Sequence, residues 1–97
     1  MKAFEVRIGP GVRRDLRRIQ RAGRSDIVNR ILAALALLEE DPIKARPGLD
    51  VQELEAAPRG RIYRWRVGGY RVLYEVDFER RRVMVTTVFH RSRGYRF

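Results

Sequence analysis

The pair Gly68-Gly69 constrains the fold of this chain more than any other feature, because it separates two runs of alternating residues. A Gly-Gly pair in that setting predicts a β-hairpin, since the favoured tight turn has positive φ at both central positions and glycine adopts positive φ without strain. Counting outward from a two-residue loop predicts five cross-strand pairs: Val67 with Tyr70, Arg66 with Arg71, Trp65 with Val72, Arg64 with Leu73, and Tyr63 with Tyr74.

The two faces of the predicted hairpin differ in character. One face is apolar and aromatic and is suited to a core; it carries Tyr63, Trp65, Val67, Tyr70, Val72, Tyr74 and Val76. The other carries Arg64, Arg66 and Arg71. Like charges that face each other destabilise a sheet by about 0.2–1 kcal/mol, so stability alone does not explain Arg66 opposite Arg71. Guanidinium groups bind phosphate through planar, bidentate contacts. The pattern favours an anion-binding face over arginines whose stems only cover apolar surface.

Length and residue types narrow the possible architectures and sites. With 97 residues the chain is long enough for one hydrophobic core, and we expect a single domain over residues 1–97. The chain has no cysteine and one histidine, so we expect neither disulfides nor a metal site, and no cofactor. The start lacks a signal-peptide core, and the longest apolar run, ILAALALL, is too short to span a membrane. We therefore expect a cytoplasmic protein with no membrane partner.

The charge of the chain points to a polyanionic partner. The net charge is +10, and residues 51–97 carry eleven basic and five acidic side chains. Residues 1–24 carry eight basic and two acidic side chains, whereas residues 25–50 carry three and five. The positive charge therefore belongs to the first helix and the C-terminal strands, and phosphates are its expected counterpart.

The order of the predicted elements is β-α-α-β-β-β-β. Alternation over 3–8 predicts a strand, helical spacing from Pro10 predicts an amphipathic helix, and a second apolar stripe up to Asp41-Pro42 predicts another helix. A short strand near 51–54, the hairpin, and a strand over 83–89 follow. This order predicts an α+β fold in which an antiparallel β-sheet is packed on one side by an N-terminal αα-hairpin. The arginine face would then look away from the helices.

With these elements in order, the chain resembles the RelE/ParE toxin superfamily, and specifically its RelE-like branch. The resemblance rests on the segment YRWRVGGYRVLYEVD over 63–77 together with the tail residues His90, Arg91 and Tyr95, and it covers essentially the whole chain. It implies the toxin of a type II toxin–antitoxin pair that cuts messenger RNA in the ribosomal decoding site without metal. In such toxins the 2′-hydroxyl of the message attacks the adjacent phosphate. The implied partners are a cognate antitoxin, the ribosome and messenger RNA.

The resemblance also implies a set of catalytic residues. They are Arg64 and Arg66 before the turn, Arg71 after it, and Arg91, Tyr95 and His90 in the tail. Relatives often carry lysine where this chain has Arg64 and Arg66, and arginine is effectively never deprotonated. Proton transfer would therefore fall to Tyr95, to His90 or to a carboxylate such as Glu75.

A wider basic surface is expected to contact RNA: Arg61, Arg93, Arg96, Arg13 and Arg17. For the two helical arginines, a solvated helix face is an equally good interpretation. Two other functions stay open at this point. One is a ParE-like inhibitor of DNA gyrase, which shares the scaffold and performs no hydrolysis. The other is a catalytically weak basic module that binds RNA or the ribosome.

Overall fold

A computed structural model describes residues 3–57 and 60–93 and shows two helices and five strands in that part of the chain. Strand β1 (Glu5–Ile8) leads into helices α1 (Pro10–Arg21) and α2 (Ser25–Glu40). Four strands follow: β2 (Asp50–Ala57), β3 (Gly60–Val67), β4 (Tyr70–Asp77) and β5 (Arg82–His90). The predicted α+β class and element order are confirmed, although β2 is longer than the sequence indicated.

The hairpin of β3 and β4 has the predicted register. Tyr63 pairs with Tyr74, and Arg66 pairs with Arg71. The expected turn geometry is wrong in one respect, because Gly68 has a φ of +57° but Gly69 does not lie in the positive-φ region. One positive φ at the first central position is the pattern of a type II′ turn, whereas positive φ at both belongs to type I′.

The five strands form one sheet in the order β1-β5-β4-β3-β2. All neighbouring pairs are antiparallel except β1 and β5, which run parallel. Parallel neighbours need a long connection, and here the chain passes through both helices and three strands between them. The last strand therefore lies inside the sheet, between β1 and β4.

Both helices contribute to one core on the aromatic face of the hairpin. The core residues include Leu16 and Ile19 of α1, Ile27, Ile31 and Leu38 of α2, and Trp65, Val72, Tyr74 and Val76 of the hairpin. Tyr74 stacks on Tyr63 with ring centroids 5.6 Å apart, and its buried hydroxyl donates to the Pro42 carbonyl at 2.5 Å. On the opposite face, Leu73 is buried while Arg64, Arg66 and Arg71 keep some exposure. The sheet thus has one covered face and one arginine face.

The C-terminal end of α2 is closed by an arginine from the following loop. Arg46 donates from NH2 to the Leu37 carbonyl at 2.7 Å and from NH1 to the Asp41 carbonyl at 3.0 Å. The Leu37 carbonyl also accepts the backbone N–H of Asp41 at 3.0 Å, so Arg46 adds a second donor there and satisfies the Asp41 carbonyl just beyond the helix end. Within the described ranges, no helix is long and apolar enough to cross a membrane.

Candidate functional site

Three of the predicted catalytic arginines meet at the turn end of the hairpin. Arg66 and Arg71 are direct cross-strand partners, and the backbone N–H of Arg91 donates to the Gly69 carbonyl at 2.9 Å, which brings the end of β5 beside the turn. All three side chains line a cleft of about 590 Å³. Its walls come from α2, from the loop before β2 and from the hairpin; they include Arg30, Ala33, Leu37, Gly48, Asp50 and Gly68.

Arg71 lies close enough to three other arginines for their charges to affect it. Its pKa is lowered below the usual value by partial burial first, and then by the positive charges of Arg66, Arg64 and Arg91. Arginine stays protonated at any physiological pH, so the shift reports repulsion within the cluster rather than loss of charge. The Arg71 NH1 donates to the carbonyls of Tyr70 at 2.9 Å and Gly68 at 3.1 Å. The side chain is thereby held against the turn, among like charges that an anion would neutralise.

Strand β2 supplies a polar partner to each of the two arginines on β3. Asp50 faces Arg66 in the register; its Oδ2 accepts a hydrogen bond from Nε at 2.7 Å and forms an ion pair with NH2 at 2.6 Å. Gln52 faces Arg64 and accepts from its NH2 at 2.9 Å. These four side chains line a small depression of about 180 Å³ that shares Asp50 and Arg66 with the main cleft. In the described part of the chain, the buried Nε of Arg64 has no acceptor.

Helix α2 contributes a basic residue that the sequence analysis missed. Arg30 lines the main cleft, and a Cβ built on Gly68 would lie 3.6 Å from its NH1. It is the one basic residue of α2, and it follows the buried Ile27 by three positions. This spacing places Arg30 beside the buried residues of α2. Only the packing of α2 against the turn shows that Arg30 lines the same cleft as the hairpin arginines.

His90 lies in a different cleft from the arginine cluster. It pairs with Tyr70 across the strands, on the covered face of the sheet, with ring centroids 5.0 Å apart in an edge-to-face contact. Its Nδ1 accepts the backbone N–H of Ser92 at 3.2 Å, so in the neutral ring the proton is on Nε2. This second cleft, about 430 Å³, also includes Arg18 and Arg93. Arg91 directly follows the last residue of β5, and it lines the arginine cleft instead of this one.

The other predicted residues are dispersed. Arg61 pairs with Glu53 at 2.9 Å near the far end of β3, about 17 Å along the strand from Arg66. Arg13 and Arg17 are exposed on α1, and Glu75 pairs with Ile62 and Met84, away from the turn. Tyr95 and Arg96 lie outside the described residues. Among residues 3–57 and 60–93, no group of three or more histidine, cysteine or acidic side chains is arranged to hold a metal ion.

Comparison with known proteins identifies the family of this chain. The family model for the ParE toxin of the type II toxin–antitoxin system parDE matches residues 6–95. The chain belongs to this family. The toxin has no match among curated protein sequences.

Two solved structures resemble the toxin over nearly their whole matched chains. A chain of the archaeal RelE–RelB complex from Pyrococcus horikoshii OT3 is 27% identical, with a TM-score of 0.80 over 95% of this toxin and 99% of that chain. A chain of the toxin–antitoxin complex RelBE2 from Mycobacterium tuberculosis is 23% identical, with a TM-score of 0.67 over 92% and 99%, and shows the shared fold. The predicted membership of the RelE/ParE superfamily is therefore confirmed.

Proposed function

We propose that this toxin is an endoribonuclease that cleaves messenger RNA on the ribosome. The observation that supports the proposal is the meeting of Arg66, Arg71 and Arg91 in one cleft. In the proposed reaction the 2′-oxygen of one nucleotide bonds to the adjacent phosphorus and the bond from phosphorus to the 5′-oxygen breaks. The products are a 2′,3′-cyclic phosphate and a free 5′-hydroxyl, so neither water nor an oxidant is consumed.

The arginines have a clear electrostatic task in this reaction. The transition state gathers negative charge on the phosphoryl oxygens, and fixed positive groups around it lower the barrier. Arg71 is central, Arg66 and Arg91 flank it, and Arg30 adds charge from the α2 side. Arg64 serves a neighbouring phosphate, because a small rotation of its guanidinium toward an anion would supply the acceptor that its Nε lacks among the described residues.

Proton transfer is assigned first to Tyr95. A phenol, whose ordinary pKa is near 10, can accept or donate a proton in general acid–base catalysis. Tyr95 follows Arg91 by four residues, whereas His90 projects into the second cleft. His90 remains the second choice, and it would require the RNA to pass around the end of β5.

Primer extension on messages from cells that express the toxin tests this proposal. We expect cuts within translated frames, and we expect an Arg91→Gln variant of equal abundance to lose them. Full translation with intact messages in cells that contain folded wild-type toxin would refute the nuclease assignment.

Inhibition of DNA gyrase is the second candidate function, favoured by the family model, which describes a ParE toxin. The assay is supercoiling of a relaxed plasmid by purified gyrase. Inhibition by the toxin at stoichiometric concentration, combined with intact messages, would establish this function in place of the first. Binding to ribosomes without either effect would instead leave a catalytically weak RNA-binding module.

A cognate antitoxin is the expected protein partner, and the cytoplasm is the expected location. The family model describes the toxin of a two-component system, and both similar structures are complexes of a toxin with an antitoxin. We expect an antitoxin with acidic residues over the arginine cleft. The test is co-purification of the two proteins at low salt. We expect it to be lost when Arg66 and Arg71 are both changed to Gln.

A further inference from the structure

Asp50 is the one acidic side chain among the described residues that line the arginine cleft. It begins β2, faces Arg66 in the register, and lines both the main cleft and the smaller depression beside Arg64. It therefore adjoins both Arg66 and Arg64 of β3. The sequence analysis assigned it no role.

The contact between Asp50 and Arg66 uses a particular edge of the guanidinium. The Oδ2 atom accepts a hydrogen bond from Nε and lies 2.6 Å from NH2, so it covers both groups of this edge. That edge offers two parallel N–H groups, and it is one of the two edges through which arginine binds phosphate in a bidentate manner. A phosphate cannot use this edge of Arg66 while the carboxylate occupies it.

The ion pair between Asp50 and Arg66 can break with little loss of stability. The Arg66 and Asp50 side chains are 57% and 58% exposed, and an exposed pair contributes little to stability because water screens it. In the free toxin the carboxylate offsets part of the repulsion among the arginines, and its charge opposes the lowering of the Arg71 pKa by the other arginines. Once a phosphate is bound, the same carboxylate becomes a like charge beside it.

We propose that Asp50 is an internal competitor for phosphate, which stabilises the empty cleft and weakens nucleic-acid binding through Arg66. This inference rests on the anion-binding part of the proposed function and is independent of cleavage. It predicts effects of opposite sign on two quantities when the charge is removed: RNA affinity rises and the stability of the free toxin falls. A purely structural role would lower both.

The test uses the purified toxin and a single-stranded RNA oligonucleotide that carries 2′-O-methyl groups, which cannot be cleaved by 2′-hydroxyl attack. We expect Asp50→Asn to tighten binding about three- to tenfold at low salt, by removing one repulsive charge near a phosphate. Its melting temperature should fall by about 2–5 °C without RNA. Inorganic phosphate should compete at a correspondingly lower concentration for the variant than for the wild type.

Glu53→Gln is the matched control. It changes the net charge by the same amount and removes a second exposed ion pair between the described residues of β2 and β3, that with Arg61. We expect less than about a twofold gain in affinity from it. In an Arg66→Gln background, the gain from Asp50→Asn should shrink to that of the control.

Several outcomes would overturn the inference. They are an unchanged or weaker affinity of Asp50→Asn, an equal gain from Glu53→Gln, a gain that persists without Arg66, or no binding of the oligonucleotide by either protein at low salt. Loss of cleavage in Asp50→Asn without a gain in affinity would point to a general base and would also overturn it. Because the oligonucleotide is not cut and no ribosome is present, failure of the nuclease proposal alone leaves these measurements unaffected.

Discussion

Replacement of Arg71 by Gln should separate activity from stability, because the same charge cluster that suits a phosphate is unfavourable in the free toxin. The side chain lies among Arg66, Arg64 and Arg91, whose charges together with its partial burial lower its pKa. Gln retains much of the length of the side chain and removes the charge. We expect the free energy of unfolding to stay constant or rise by up to about 1 kcal/mol, the size of a like-charge cross-strand term.

The expected loss of activity from the same substitution is much larger. A donor aimed at the charge of a transition state contributes about 3–4 kcal/mol, so the cleavage rate should fall about 10²–10³-fold. Cleavage of a ribosome-bound message in single-turnover conditions measures this rate, and urea unfolding measures the stability. Arg71→Lys should recover only part of the activity, because lysine keeps the charge but lacks the planar pair of donors.

Arg80→Gln is the control for this prediction. Arg80 pairs with Asp77 at 3.2 Å, at the opposite end of the hairpin. We expect its cleavage rate to match the wild type within about threefold, since long-range charge effects are screened beyond about 10 Å. The reasoning is refuted if Arg71→Gln cleaves at the wild-type rate, or if it loses activity only in proportion to a loss of folded protein.

Four further predictions concern the fold and the second cleft. Tyr74→Phe should lower the free energy of unfolding by about 1–2 kcal/mol, because the buried Pro42 carbonyl loses its donor; urea unfolding measures it. Burial, and then the charge of Tyr63, raise the pKa of Tyr74, so the unfolded chain loses this proton at a lower pH than the folded toxin. The free energy of unfolding should therefore fall above about pH 10, by up to about 1.4 kcal/mol per pH unit. Urea unfolding at several pH values should show a smaller fall in Tyr74→Phe. Gly60→Ala should lower the free energy of unfolding by about 3 kcal/mol or more, since its Cβ would lie 1.7 Å from the Val76 carbonyl oxygen. Loss of a cooperative thermal unfolding transition would reveal this destabilisation. His90→Gln should cleave within about tenfold of the wild type; a larger loss with normal RNA affinity would make His90 the proton carrier.

The hairpin was predictable because its information is local. Alternation over a few residues on each side of Gly68 sets both the register and the identity of the core face, and a slip of one residue would bury arginine and expose Trp65. The same argument predicted that Arg66 and Arg71 would face each other. The turn type was missed because glycine is compatible with both types, and the sequence alone does not distinguish them.

The rest of the cleft depends on contacts between distant segments. Asp50 and Arg30 belong to elements separated from the hairpin by loops whose path the sequence does not specify. The parallel pairing of β1 with β5 has the same origin, because strand order depends on how the helices cover the sheet. Nonlocal packing therefore added Asp50 and a fourth guanidinium, that of Arg30, to the cluster of Arg66, Arg71 and Arg91.

The position of the residues at the end of β5 also bears on which group acts as the general base. Arg91 reaches the arginine cleft through the hydrogen bond of its backbone to Gly69, and His90, one residue earlier, is held on the other face by Tyr70 and Ser92. Arg91 follows the last residue of β5, and the two neighbouring residues line different clefts. Besides His90, the candidates for the proton carrier are Tyr95 and Asp50. Because Asp50 holds Arg66, the two possibilities are separable: a carboxylate base would make Asp50→Asn inactive, and a tyrosine base would make Tyr95→Phe inactive while Asp50→Asn binds RNA more tightly.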